Sequence, residues 1–144
     1  MDIATLRHLI AGLRFRLNHV CDGTDDSFAS FNVGEDTRTP QEIVDHISQL
    51  ADFTLTLFEA HERRSLEVLT WSASCARADA FLADLDSAFA SKHVHEGNPM
   101  TLEQALHGPL LDTATHIGQL ATLRRLAGSP VARVRYWQAD VHAP

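Results

Sequence analysis

The sequence predicts an all-α protein folded as a single four-helix bundle. Apolar residues recur at helical spacing in four separate segments, two of those segments open on capping-box patterns at Thr39 and Thr101, and 144 residues suit one domain with its own core. No low-complexity stretch, internal repeat or domain boundary stands out, so residues 1–144 read as one unit.

The first helix is expected over residues 2 to about 21, where Leu6, Leu9, Ile10, Leu13, Leu17 and Val20 fall at helical spacing before "CDGTDDS" breaks the pattern. From Phe28 to Arg38, "FASFNVGEDTR" has no sustained period and reads as a loop long enough to cover something. The second helix opens at "TPQE": Thr39 as N-cap, Pro40 at the first helical position, Glu42 completing the box. At about 100° per residue, Ile43, Ile47, Leu50, Phe53, Leu57 and Phe58 share one side. Asp45, Ser48, Asp52 and Glu59 fall opposite. His46 lies within the apolar arc and is expected to face the core.

A third helix is expected from about Ser74 to Ala90, with Phe81, Leu82, Leu85 and Phe89 as its buried stripe and "SKHVHEGNP" as its end. The fourth begins with Thr101 as N-cap and Gln104 in the capping-box position. Gly108-Pro109 is an expected interruption, and Gly128 ends the helix as the C′ residue with Pro130 beyond. Leu110, Ala114, Ile117 and Ala121 form one ridge of this helix, and Asp112, His116, Gln119 and Leu123 another. A surplus apolar ridge suggests cover by a partner subunit. The tail "VARVRYWQADVHAP" is expected to fold back over a bundle end.

Composition excludes several classes. The 12 Lys and Arg against 19 Asp and Glu leave a formal charge of −7, with no basic run or stripe, so neither nucleic acid nor an anionic membrane is an expected partner. No window approaches the roughly 18 apolar residues of a membrane span. Arg7, Arg14 and Arg16 interrupt the N-terminal apolar residues, unlike a signal peptide. Cys21 and Cys75 make neither a disulfide framework nor a metal-binding Cys-x-x-Cys. The expected compartment is the cytoplasm.

Chemistry can be sought among the 9 histidines. Asp112 and His116 stand four residues apart on one helix face. Together with His46 they supply two imidazoles and a carboxylate from two helices, a donor set that suits zinc or ferrous iron. Each residue also has a plainer reading: His46 as a hydrogen-bonded core histidine, and the Asp112/His116 pair as surface electrostatics. His93 and His95 sit in a Gly/Pro-bounded turn, His107 precedes the Gly-Pro break, and His8, His19, His61 and His142 lack a partner at useful spacing. Glu42 lies one turn from His46, but its capping role accounts for it. Nucleophile triads, Gly-rich phosphate loops and cysteine-based sites are absent.

With "VDHISQL" on the second helix and "HIGQLATLRRLAGSP" on the fourth, nearly the whole chain resembles the DinB superfamily of metal-dependent enzymes, DinB/YfiT-like four-helix bundles that include thiol-dependent S-transferases. The resemblance implies a mononuclear divalent metal, zinc or nickel first, with iron or manganese as further candidates. The family holds its metal with one histidine of the second helix and two of the fourth, in a His-x-x-x-His-x-Gly-Gln pattern. By position, His46 and His116 match two of these, and Gly118 and Gln119 match the Gly-Gln. Asp112 stands where the family usually has its other histidine, which keeps a ligand and adds negative charge. Gly118 is then expected to allow close helix packing, and Gln119 to orient a ligand or bound water.

The implied function is transfer or isomerisation of a small electrophilic substrate with a low-molecular-weight thiol, in a homodimer. An open metal position lowers the pKa of a thiol or of water. Residues 28–38 and the tail around Tyr136 and Trp137 are the expected pocket walls. Two alternatives stay open: a metal-dependent hydrolase, and a non-catalytic metal-binding or structural dimer.

Overall fold

The computed structural model describes residues 2–58 and 60–142. Helix α1 (Ile3–Cys21) starts where the Asp2 carboxylate accepts the Ala4 N–H, and it buries Leu6, Ile10, Leu13, Leu17 and Val20 along one stripe. A short helix α2 (Asp26–Ala29) follows, capped by Asp25. It occupies the start of the expected loop because Phe28 is buried edge-on against Trp71, with ring centroids 5.6 Å apart. Both halves of the expected box form at α3 (Pro40–Thr54): Thr39 Oγ1 accepts the Glu42 N–H and Glu42 Oε2 accepts the Thr39 N–H.

Helix α4 (Trp71–Ser91) begins three residues before the expected start. Next, α5 (Leu102–Ala105) opens on the Thr101/Gln104 box, and a π-helical turn over Leu106–Leu110 carries the expected break at Gly108-Pro109. Helix α6 (Leu111–Leu126) then runs to Gly128, whose φ of +78° favours glycine. There the Gly128 N–H donates to Arg125 O and the Ser129 N–H to Arg124 O, a Schellman ending.

Ion pairs and hydrogen bonds fix the helix directions. Arg7 pairs with Asp86 and Arg14 with Asp79, so α1 and α4 run antiparallel. Gln41 Nε2 donates to Ser74 Oγ and Arg77 to Asp45, so α3 and α4 run parallel. Helix α6 runs antiparallel to α3, and Arg124 Nη1 ties it to α1 by donating to the carbonyls of Val20 and Asp22. Around the bundle, α1 and α3 each pack between α4 and α6.

Parallel α3 and α4 require the intervening chain to travel back along the bundle, and residues 61–70 do so as a strap without regular structure. Its anchor is Asp52. That carboxylate accepts from His61 Nε2 at 2.9 Å, Arg63 Nε at 2.9 Å, the Arg64 N–H at 3.0 Å and Arg64 Nε at 2.7 Å. Asp52 is therefore only 1% exposed, contrary to the solvent-facing side expected for it. Burial works against its charge, yet the hydrogen bonds from Arg64, Arg63 and His61 hold the carboxyl below its ordinary value.

Ser48 is buried too, its hydroxyl donating to Val44 O, while Phe53 is 41% exposed. The buried face of α3 is thus rotated from the expected arc toward Ser48, Ala51 and Asp52. Glu59, expected on the outer face, lies outside the described residues.

The Leu110/Ala114/Ile117/Ala121 ridge is met within the chain. Leu110 and Ile117 are buried, and Ala114 and Ala121 border a groove shared with Leu9, Gly12 and Leu13 of α1 and with the tail from Val131 to Tyr136. The tail lies along this α1/α6 groove rather than over a bundle end, with Tyr136 edge-on to Phe15 and Arg16 stacked on Tyr136. No helix among the described residues is long and apolar enough to cross a membrane.

Candidate metal centre

The antiparallel seam between α3 and α6 brings His46, Asp112 and His116 together. His46 sits in the middle of α3 with its side chain 25% exposed, at the seam rather than in the core where the expected apolar arc would have placed it, because the buried face of α3 is rotated away from it. His116 is 8% exposed and Asp112 45%, so the cluster is deep on one side and open on the other. Asp112 Oδ2 lies 3.7 Å from His46 Nε2, and Asp112 Oδ1 lies 3.5 Å from His116 Nε2. The two imidazoles meet edge-to-face, with centroids 4.8 Å apart.

The outer nitrogens are held alike. His46 Nδ1 is 3.2 Å from Gln49 Oε1, and His116 Nδ1 is 2.7 Å from Gln119 Oε1. An amide oxygen only accepts, so Nδ1 carries the proton in each ring and Nε2 presents its lone pair inward. With that tautomer, two lone pairs and a carboxylate face one another, an arrangement that could hold a cation among them.

A group of one ligand atom from each residue lies within 4.8 Å of one another. Tetrahedral bonds of about 2.1 Å separate ligand atoms by roughly 3.4 Å; the 3.5 and 3.7 Å approaches involve different oxygens of Asp112, so binding an ion would draw the three side chains closer together. The donor chemistry therefore fits a divalent metal ion.

The sequence reading missed Gln49, although a signal for it exists. His46-Ile47-Ser48-Gln49-Leu50 and His116-Ile117-Gly118-Gln119-Leu120 are two copies of His-Ile-x-Gln-Leu, a short internal repeat where none was expected. In each copy the isoleucine is buried and the glutamine meets its own helix's histidine. Gly118 is not required by close packing, since a Cβ built there meets nothing within 4 Å.

Arg38 was missed as well. Its Nη1 lies 3.5 Å from His116 Nε2, so the end of the loop over 28–38 does reach the centre. The tail does not. Tyr136 packs on Phe15 and His19 on a different face of the bundle, and Trp137 is exposed. Beside Asp112 the wall is instead a shallow depression bordered by Leu50, Phe53, His107 and Leu111.

Most remaining histidines have other partners. His8 meets His142 at 2.9 Å, His19 meets the Ala132 carbonyl, and His61 belongs to Asp52, all through contacts that spacing along the chain did not reveal. His93 and His95 are exposed in their turn, and Glu42 stays in its capping box.

The site thus defines a class: a half-open pair of histidines and an aspartate at a helix seam, able to hold one metal ion. No family model, curated protein or solved structure matches the chain.

Proposed function

We propose that the protein is a metal-dependent enzyme of the DinB type that joins a low-molecular-weight thiol to a small electrophile, or isomerises a substrate through such a thiol. The observation that carries this reading is the pair of inward-facing Nε2 atoms, each fixed by a glutamine, opposite the Asp112 carboxylate. His46, Asp112 and His116 hold the ion, zinc or nickel before iron or manganese. When bound, the ion lowers the pKa of a thiol or of water at its open position.

The chain's own residues do the rest. Gln49 and Gln119 set the tautomer and orientation of the two rings, Asp112 offsets part of the metal charge, and Phe53 and Leu111 offer apolar surface to a substrate beside it. Exposure of the Asp112 side chain favours this reading over a closed structural site, because a small molecule can approach from that side. A homodimer remains part of the proposal through the resemblance alone, since α1 and the tail meet the ridge that first suggested a partner.

The test is a thiol-conjugation assay with a panel of low-molecular-weight thiols and an electrophile such as monochlorobimane. Conjugation is expected with metal-loaded protein and lost on chelation and in His116→Ala. A metal-loaded protein that hydrolyses activated esters but conjugates no thiol would replace the transferase reading with the hydrolase one.

A further inference from the structure

The antiparallel packing of α3 and α6 sets out the seam in order. Arg38 lies beside His116, His46 and Asp112 come next, and Leu50, Phe53 and Leu111 border the depression beyond. Arg38 differs from the five arginines that form ion pairs. Arg7, Arg14, Arg63, Arg64 and Arg77 each pair with an aspartate. Among the described residues no carboxylate pairs with Arg38, and its polar contact is the 3.5 Å approach to His116 Nε2.

That contact cannot coexist with an ion on the same nitrogen, because Nε2 has one lone pair. The guanidinium must then turn away, and two cationic groups share a small, half-buried space. An anion between them relieves the repulsion. Asp112 removes one positive charge from the centre and Arg38 restores it, so the centre attracts anions despite its carboxylate ligand. The planar fork of Arg38 matches a carboxylate, which it can bind through two parallel N–H donors. Arg38 is exposed in the loop just before the Thr39 cap, which gives it the freedom to turn toward such a ligand.

We propose that Arg38 makes this centre selective for small molecules carrying a carboxylate close to the atom that coordinates the ion. The inference rests on the metal reading above and adds the charge class of the ligand. The less polar part of the molecule lies toward Phe53 and Leu111, away from Arg38.

Cobalt-loaded protein provides the test, read by its visible spectrum and not by turnover. The probes are 3-mercaptopropionate, its methyl ester, and acetate as a thiol-free carboxylate. The parent is expected to prefer the acid to the ester, and Arg38→Gln to reduce that preference about tenfold, as loss of one charge-assisted contact requires. Cobalt affinity should stay within about twofold, since Arg38 is not a ligand in this account. Acetate should weaken by a factor similar to the acid. An acid-to-ester preference unchanged in Arg38→Gln, or absent in the parent, overturns the proposal. Arg38-dependent acetate binding without any thiol-to-cobalt band would uphold it while removing the thiol from the proposed function. Failure of the parent to bind cobalt removes the metal reading and this inference with it.

Discussion

Gln49 and Gln119 determine which nitrogen each histidine offers, and so they are the residues on which the geometry of the centre depends most. Replacing either with alanine should weaken metal affinity by about 10- to 100-fold without unfolding the chain, because both are exposed and sit outside the core. Competition against a chelator of known affinity measures this, and unchanged affinity in both variants would reduce the amides to passive cover. The sequence carried part of this set. Asp112 and His116 could be read as one face because four residues make about one turn, and His46 by its place in the apolar arc of the second helix, whereas Gln49 needed comparison of two distant pentapeptides. Arg38 comes from an aperiodic loop, where no periodicity says which side chain points inward. A second residue-scale expectation concerns Cys75. The adjoining Cys21 and burial push its thiol above the ordinary range, so Cys75 should resist alkylation by iodoacetamide at pH 8 until the protein is denatured.

Among the elements, the strap depends most on a single residue. Asp52→Asn leaves Arg63, Arg64 and His61 facing an amide and should destabilise the protein by about 1.5–3 kcal/mol, the usual worth of hydrogen bonds to a charged group, since the arginines themselves stay partly solvated. The sign of its pH dependence follows from the depressed carboxyl value. The stabilisation is complete above the unfolded-state value of about 3.9 and is lost as pH falls through the lower folded-state value. Parent and variant should therefore differ most near neutral pH and converge in acid, as urea unfolding at several pH values would show. An undiminished difference at pH 2 would contradict the assignment. Local pattern revealed the long helices and their caps, because those signals lie within a few residues of one another. The strap and the rotated face of α3 were hidden, because Asp52 and Ser48 look like surface residues until their partners are known. For Asp52 those partners lie 9 to 12 residues further along the chain.

For the whole molecule, the consequence of α3 running antiparallel to α6 is that one metal ion would tie two helices otherwise joined through the strap and α4. An ion that binds only the folded state stabilises it by about 2.7 kcal/mol at 100 times its Kd. For a domain of this size that raises Tm by roughly 5–10 °C. Chelation should reverse the gain, and His46→Ala should show none, in calorimetric scans. The proposed homodimer predicts twice the chain mass by light scattering at micromolar concentration, and a monomer there would withdraw it. The central claim is that His46, Asp112 and His116 form a metal site, and metal stoichiometry tests it most directly. Protein purified without an affinity tag, equilibrated with zinc and then freed of loose ions, should carry about one ion per chain by plasma mass spectrometry. The His46→Ala/His116→Ala double variant, folded by circular dichroism, should carry almost none. One tightly held ion per chain in that double variant would contradict the account.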